Sequence, residues 1–394
     1  MSSSVVLVSG SKIFVSLFSI ILNITLTRNL ISSEYGVFSY WLTCLNFLGL
    51  VCILGINTSH IYFFKHKVDN SLPIISYFFY FSLMALLFQV TLTWLGITNN
   101  ILWSVPAAFA MGGMSIINAD AQVRLKFGEY AVQCICLAFV VMGGGALTVL
   151  AFGVDTAKQL IITYTTLTVV VFSFFAFVKG KVSFAPIPKL LETKIFFKYG
   201  FKGFLLNLLG QALYFIDIII IGIILNDKDV AYYAVAGIVA KTLWLFIDAV
   251  GAVLFPKIIL GGLKEKLKKT QSAIVASFLL CLFPSITFIL IGEYALAYVF
   301  GDEYINSLES SYILILASFP LVLYKIYSRF LVSENQWGIA YKALGVAVIL
   351  NVFLNLILVD IIGIMGAAIA SLISYSFCGI YVYVKVKAIL INEG

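Results

Sequence analysis

The chain has 394 residues, 62% of them hydrophobic and only 11% charged. Soluble domains carry about 25% charged residues, so this balance excludes a soluble globular protein and indicates an integral membrane protein. The apolar runs are about 20 residues long and do not alternate with period two, which selects helices over a barrel. The formal net charge of +7 reads as loop lysine that sets topology, and no nucleic-acid partner is expected.

Hydropathy predicts twelve spans: 5–30, 36–57, 74–95, 101–121, 131–152, 158–178, 196–225, 232–255, 271–292, 305–331, 338–359 and 362–384. The start, MSSSVV, has no basic n-region and no small-residue cleavage site, so the first span is expected to be retained. That span carries Ser9, Lys12, Ser16, Ser19, Asn23 and Thr27 at steps of three and four residues. At about 100° per residue they fall on one helix face. A stripe of this kind suits a helix that lines a polar cavity and not one that faces lipid.

The second span continues with Ser39, Thr43, Asn46 and Asn57 along one face. MGGGA at 142–146, inside the fifth span, reads as close helix packing. The six cysteines lie in predicted spans without metal spacing and are read as small apolar residues. The longest connection, Lys179 to Ile195, contains Pro186 and Pro188 and sits near the middle of the chain. It divides the chain into an N-terminal lobe (1–178), a cytoplasmic linker (179–195) and a C-terminal lobe (196–394), each lobe with six spans. Aligning SSEYGVFSYW with KDVAYYAVAG at an offset of 195 residues matches Phe38 with Tyr233, as a parallel repeat would.

Positive residues set the orientation. With the N-terminus in the cytoplasm, 20 of the 25 lysines and arginines fall in inner connections, Lys325 and Arg329 among them. The outer connections hold Arg28, Lys158 and Lys228, and Lys12 and Lys241 lie within spans. Both termini are therefore expected in the cytoplasm.

The seventh span has its own polar face, with Gly203, Asn207, Gly210, Gln211, Tyr214 and Asp217. The eighth has Gly237, Lys241, Trp244, Asp248 and Gly251. Small and hydroxyl residues in spans commonly serve helix packing, and Asn23 and Asn207 are as well explained by interhelical hydrogen bonds as by ligand contact. Ionisable groups carry more weight, because an unpaired charge at mid-bilayer is costly. Asp217 and Asp248 either pair with Lys12 or Lys241 or line a cavity, and the two roles are compatible. Arg28 and Arg124 lie near span ends, where snorkelling accounts for them. Lysines facing a low-dielectric cavity attract phosphates, and a carboxylate beside them can exchange protons or bind a cation. The expected cavity residues are Lys12, Ser16, Asn23, Arg28, Asn46, Asn207, Gln211, Tyr214, Asp217, Lys241, Trp244 and Asp248. No metal centre or resident cofactor is expected, whereas coupling to H+ or Na+ fits the buried acids.

Several segments carry a family resemblance. They are RNLISSEYGVFSYW, YFIDIIIIGIILNDKDVAYYAVAGIVAKTLW, VLFPKI, YVFGDEY and GIMGAAIASLISY. In this order they resemble the bacterial O-antigen and polysaccharide flippases of the multidrug/oligosaccharidyl-lipid/polysaccharide exporter superfamily. The resemblance implies an all-α membrane protein of twelve helices in two six-helix lobes around a central cavity. It also implies translocation of undecaprenyl-pyrophosphate-linked O-antigen or capsule units across the bacterial inner membrane, in lipopolysaccharide or related surface-polysaccharide biosynthesis. Membrane lipid, a polysaccharide polymerase and a chain-length regulator are the implied partners. Lys12 and Lys241 fit the family's cationic cavity, and Asp217 matches its seventh-helix acid.

Two other functions compete. A small-molecule or multidrug antiporter of the same superfamily would rely on the acids without needing the lysines. A membrane polymerase or glycosyltransferase would need an extramembrane loop bearing catalytic groups. The outer connections are short, and the only histidines, His60 and His66, lie near the second span's inner end. No nucleophile–base set or phosphate-cradling glycine loop is present, so a non-enzymatic transporter is expected.

Overall fold

In a bilayer core each backbone N–H and C=O must find its partner within the protein, which favours continuous helices. The computed structural model describes residues 3–65, 86–87, 90, 101–178, 190–258 and 262–393, and among them every regular element is helical. Ten of these helices are long and apolar enough to cross a membrane. The expected third span, 74–95, lies almost wholly outside the described residues. The chain is a multi-pass membrane protein.

Contacts divide the chain into two compact units, Met1–Leu208 and Leu209–Gly394. The first contains α1 (Ser3–Asn29), α2 (Ser32–Ile53), α3 (Ile56–Lys65), α4 (Ile101–Val123), α5 (Phe127–Phe152) and α6 (Ala157–Val178). Helix α7 (Leu190–Ile224) is continuous through the boundary, and residues 190–195, expected in the linker, are already helical. The second unit adds α8 (Asp227–Ile258), α9 (Leu263–Val299), α10 (Leu308–Ser333), α11 (Trp337–Ile362) and α12 (Ile364–Glu393). A 3-10 turn, Asp302–Ser307, leads into α10. The two units share a packing scheme. Helix α2 packs on α4 and α4 on α6, and six elements later α8 packs on α10 and α10 on α12.

Local chemistry explains several boundaries. The Asn226 side chain accepts hydrogen bonds from the backbone N–H groups of Lys228 and Asp229, capping α8. Asp227 and Asp229 add negative charge at its positive end. Glu34 Oε2 accepts the backbone N–H of Ala157 at 2.6 Å and so satisfies an orphan donor at the start of α6. MGGGA packs closely, as read from the sequence. A side chain on Gly143 would press on Phe18 of α1, and one on Gly144 on Leu167 of α6. Helix α5 also contains a π-helical turn at Ala138–Gly143, which shifts the register of the faces on either side.

The expected second span, 36–57, is broken in the structure. Helix α2 starts at Ser32 and stops at Ile53, because Leu54 and Gly55 take positive φ of 42° and 78° before α3 begins. The break aims α3 at the first turns of α7. Gly55 lies so close to Gly200 that any Cβ on it would overlap the Gly200 carbonyl. Beside it, Ser59 Oγ donates to the Phe196 carbonyl at 2.6 Å. Only glycine meets both demands, left-handed backbone and backbone-to-backbone approach.

Gly55→Ala is therefore expected to lower stability by about 1–3 kcal/mol. Gly128→Ala, at a helical position with nothing within 4 Å, should not. Thermal unfolding of the two purified variants against the parent tests this, and equal melting temperatures would contradict the assigned role of Gly55.

Candidate functional site

Asp217 is the most enclosed acid in the described part of the second unit, with 2% of its surface exposed. A carboxylate without water needs donors from the protein, and three helices supply them. Tyr233 of α8 donates its hydroxyl to Asp217 Oδ2 at 2.6 Å. Ser371 of α12 donates to the same oxygen at 2.6 Å. Asn355 of α11 donates from Nδ2 to Oδ1 at 2.9 Å. Asn351, one turn earlier on α11, accepts from Asn355 at its side-chain oxygen, 3.2 Å, and donates to Ser371 Oγ at 3.4 Å. Asn355 Oδ1 is buried without a hydrogen-bond partner. The cluster thus offers one carboxylate, two amide oxygens and two hydroxyls. An all-oxygen set with a single acid suits a proton or a hard monovalent cation better than a transition metal. Among the described residues no group of three His, Cys, Asp or Glu side chains is placed to hold a metal ion.

Asp217 also borders a small cavity of about 20 Å³ lined by Tyr214, Tyr233, Lys241, Trp244 and Tyr375 among others. That volume is about enough for one water molecule. The Lys241 ammonium lies 3.9 Å from the Phe215 ring centroid and folds back over Gly237. Tyr214, Trp244 and Tyr375 form an aromatic layer with centroids 4.9–6.2 Å apart. Two bonds fix it. Trp244 Nε1 donates to Ser318 Oγ at 3.0 Å, and the Tyr375 hydroxyl donates to the Leu213 carbonyl at 3.2 Å.

Asp248 sits in a different environment. Its carboxylate accepts from Lys325 Nζ at 2.9 Å and from Arg329 Nη2 at 3.3 Å. Lys241, one of the partners considered from the sequence, does not make this contact among the described residues. Lys325 and Arg329, counted there among inner-connection cations, lie within α10.

In the first unit, Lys12 and Arg28 are exposed on α1. Ser16 Oγ donates to the Lys12 carbonyl of its own helix, and Asn23 bridges the Ser19 carbonyl and the Tyr35 hydroxyl. Asn46 is half-buried on α2, and Asn207 is exposed on the first-unit part of α7. Gln211, half-buried just beyond the boundary, has a buried Oε1 without a partner. Of the twelve expected residues, the structure gathers Tyr214, Asp217, Lys241 and Trp244 around one cavity. Nearer the α3 end, Arg124 Nε binds both oxygens of Asp120 at 3.0 and 3.1 Å, with His60 Nε2 3.3 Å from the same carboxylate. Arg124 is thus paired and not simply snorkelling.

Residues 25–309 match the family described as "Polysaccharide biosynthesis protein". The chain belongs to the polysaccharide biosynthesis protein family. A protein of Haloferax volcanii, described as probable low-salt glycan biosynthesis flippase Agl15, is 30% identical over 261 residues. That match covers 64% of this chain, and the chain spans about half, 54%, of that relative's length. Among solved structures, lipid II flippase MurJ in an inward closed conformation superposes with a TM-score of 0.81 at 12% identity, covering 97% of this chain and 87% of that one. An inward-facing multidrug resistance transporter of the MATE family of the MOP superfamily gives 0.66 at 14% identity, covering 96% of each chain. The all-α exporter fold implied by the sequence motifs is the fold of this polysaccharide biosynthesis protein.

Two of the five quoted segments converge on the acid. YFID supplies Asp217, AYYA supplies Tyr233, and GIMGAAIASLISY supplies Ser371 and Tyr375. Sequence reasoning missed Asn351 and Asn355, although two asparagines one turn apart in an apolar helix are a legible signal. It also missed Lys325, Arg329 and Ser318, whose roles depend on which helix faces α8.

Tyr233→Phe removes one donor from the buried carboxylate while keeping the ring, so it should destabilise the protein by about 1–3 kcal/mol. Tyr232→Phe, whose hydroxyl meets Glu303 at an exposed site, should cost less. Comparing the melting temperatures of the two decides it, and a larger loss for Tyr232→Phe would count against Asp217 as the anchor.

Proposed function

We propose that this polysaccharide biosynthesis protein is a flippase for a lipid-linked oligosaccharide. In a bacterial host its substrate is an undecaprenyl-pyrophosphate-linked repeat unit of O-antigen or capsule. It passes from the cytoplasmic to the outer leaflet of the cytoplasmic membrane by alternating access, with both termini in the cytoplasm. The observation that carries this reading is the aromatic and charged wall of the second unit, the half-buried Tyr214, Trp244 and Lys241 with the exposed Asp248, in a chain of this family. Aromatic rings at membrane depth can stack on sugars, and fixed cations there favour a phosphate group over a neutral lipid. Support for the glycan comes from the family and from the relative described as a glycan biosynthesis flippase.

The Asp217 cluster is proposed as the seat of the coupling ion, H+ or Na+. Asn355 Oδ1, buried and without a partner, stands ready as a further oxygen ligand beside the carboxylate. Binding there would hold α7, α8, α11 and α12 together and release would loosen them, so ion occupancy biases one conformation over another.

Proteoliposomes holding the full chain and a fluorescent polyprenyl-diphosphate oligosaccharide test both parts. Translocation should depend on the protein and rise under an imposed Na+ or H+ gradient, and Asp217→Asn should remove the response to the gradient. Absence of any protein-dependent translocation would end the flippase reading. Translocation indifferent to both gradients would end only the coupling.

A further inference from the structure

Two cations share one acid at the far ends of α8 and α10. Lys325 and Arg329 are one turn apart on α10, so their side chains leave the same face. Both reach Asp248 of α8, Lys325 at Oδ2 and Arg329 at Oδ1. The carboxylate neutralises only one of them, which leaves the group with a net charge of about +1. The second cation is held by the shared carboxylate but repels the first, so the group keeps an unneutralised positive charge. The group is also open on one side. The Asp248 side chain is 51% exposed, Arg329 24% and Lys325 11%.

The surroundings fix both cations in place. Lys325 Nζ lies 5.0 Å from the Trp244 ring centroid and 5.6 Å from that of Tyr214, within cation–π range. Trp244 is itself held by Ser318. The Arg329 guanidinium occupies the space that a Cβ on Gly251 would take. A glycine at this point of the polar face of α8 admits the guanidinium against the helix backbone.

Depth narrows the ligand. Lys325 stands eight residues before the end of α10 at Ser333, roughly 12 Å along the axis at 1.5 Å per residue. That places the cluster between the mid-bilayer and the headgroup zone of the leaflet at this end. In the proposed orientation this is the cytoplasmic leaflet.

We propose that Lys325 and Arg329 form a diphosphate-binding site on the second unit, and that Asp248 is the resident counter-anion which the diphosphate displaces. This rests on the flippase reading for its substrate. The cations offer charge-assisted donors to phosphate oxygens, and the guanidinium can engage two of them at once. Asp248 keeps the cations in place when no ligand is bound. It then competes with the diphosphate, so that the ligand can leave after transport.

The test uses the full chain in phosphatidylcholine nanodiscs with three probes: geranylgeranyl diphosphate, inorganic pyrophosphate and uncharged geranylgeraniol. The parent should bind the lipid diphosphate, and the Lys325→Gln/Arg329→Gln variant should bind it at least about tenfold more weakly. Lys325→Arg/Arg329→Lys should restore binding. Gly251→Ala changes no charge but displaces the guanidinium, and should weaken binding as Arg329→Gln does. Asp248→Asn removes the competitor and should bind several-fold more tightly. If the double Gln variant does not fold, Gly251→Ala and Asp248→Asn still decide the question. Inorganic pyrophosphate bound with the same dependence assigns the site to diphosphate chemistry in general, and binding of the lipid form alone assigns it to the lipid headgroup; either supports the site. Parent-like binding by the double Gln variant, weaker binding by Asp248→Asn, or equally tight binding of geranylgeraniol would overturn it. A parent that binds diphosphate but moves no lipid-linked glycan removes the flippase reading and leaves the site. A double Gln variant that still flips normally removes the site and leaves the flippase.

Discussion

A carboxylate sealed from water inside a membrane helix bundle constrains everything around it. Asp217 accepts hydrogen bonds from three other helices, and none of those donors belongs to its own helix. Two of the three donors are themselves held. Ser371 meets Asn351, and Asn355 is tied to the Asn351 carbonyl at 2.9 Å. Helix packing in lipid gains little from the hydrophobic effect, so polar contacts and close fit decide which helices adjoin. Here one acid fixes the relative placement of α7, α8, α11 and α12, and thereby of the aromatic layer built on α7, α8 and α12.

The second acid shows how environment separates roles. Asp248 lies on the same helix as Tyr233 and is half exposed, where Asp217 is sealed. Neutral donors surround the sealed acid, and the cavity beside it has room for about one water. The exposed acid is instead clamped between two cations. Trp244, Tyr214 and Tyr375 stand between the two. The ring of Trp244 faces the Lys325 ammonium and also lines the cavity beside Asp217. A change at either acid therefore reaches the same ring.

Much of the fold was legible because apolar runs, proline and glycine punctuation and loop charge each leave a one-dimensional trace. Most span positions, the packing role of MGGGA and the polar face that carries Asp217 came from that trace, and the motifs around the acid came from the family resemblance. The break in the second span was not legible. Gly55 looks like any glycine at a span end, and only the approach of Gly200, 145 residues later, shows why it must be glycine. Lys325 and Arg329 were placed in an inner connection, because positive residues near span ends usually mark one. The expected span, 305–331, already enclosed them, and in the structure they lie inside α10. Their partner, Asp248, lies more than 70 positions away, and no local pattern could pair them.

The internal repeat sharpens what sets this chain's chemistry. The two units repeat their helix pairings, yet their polar content differs. At the 195-residue offset, Asp217 and Tyr233 correspond to Leu22 and Phe38, both buried and apolar. The first unit meets the demands of its core at those positions by hydrophobic packing, where the second uses a hydrogen-bonded acid. A packed leucine brings only apolar contacts, whereas the buried carboxylate draws hydrogen-bond donors from three other helices and so ties them to one another.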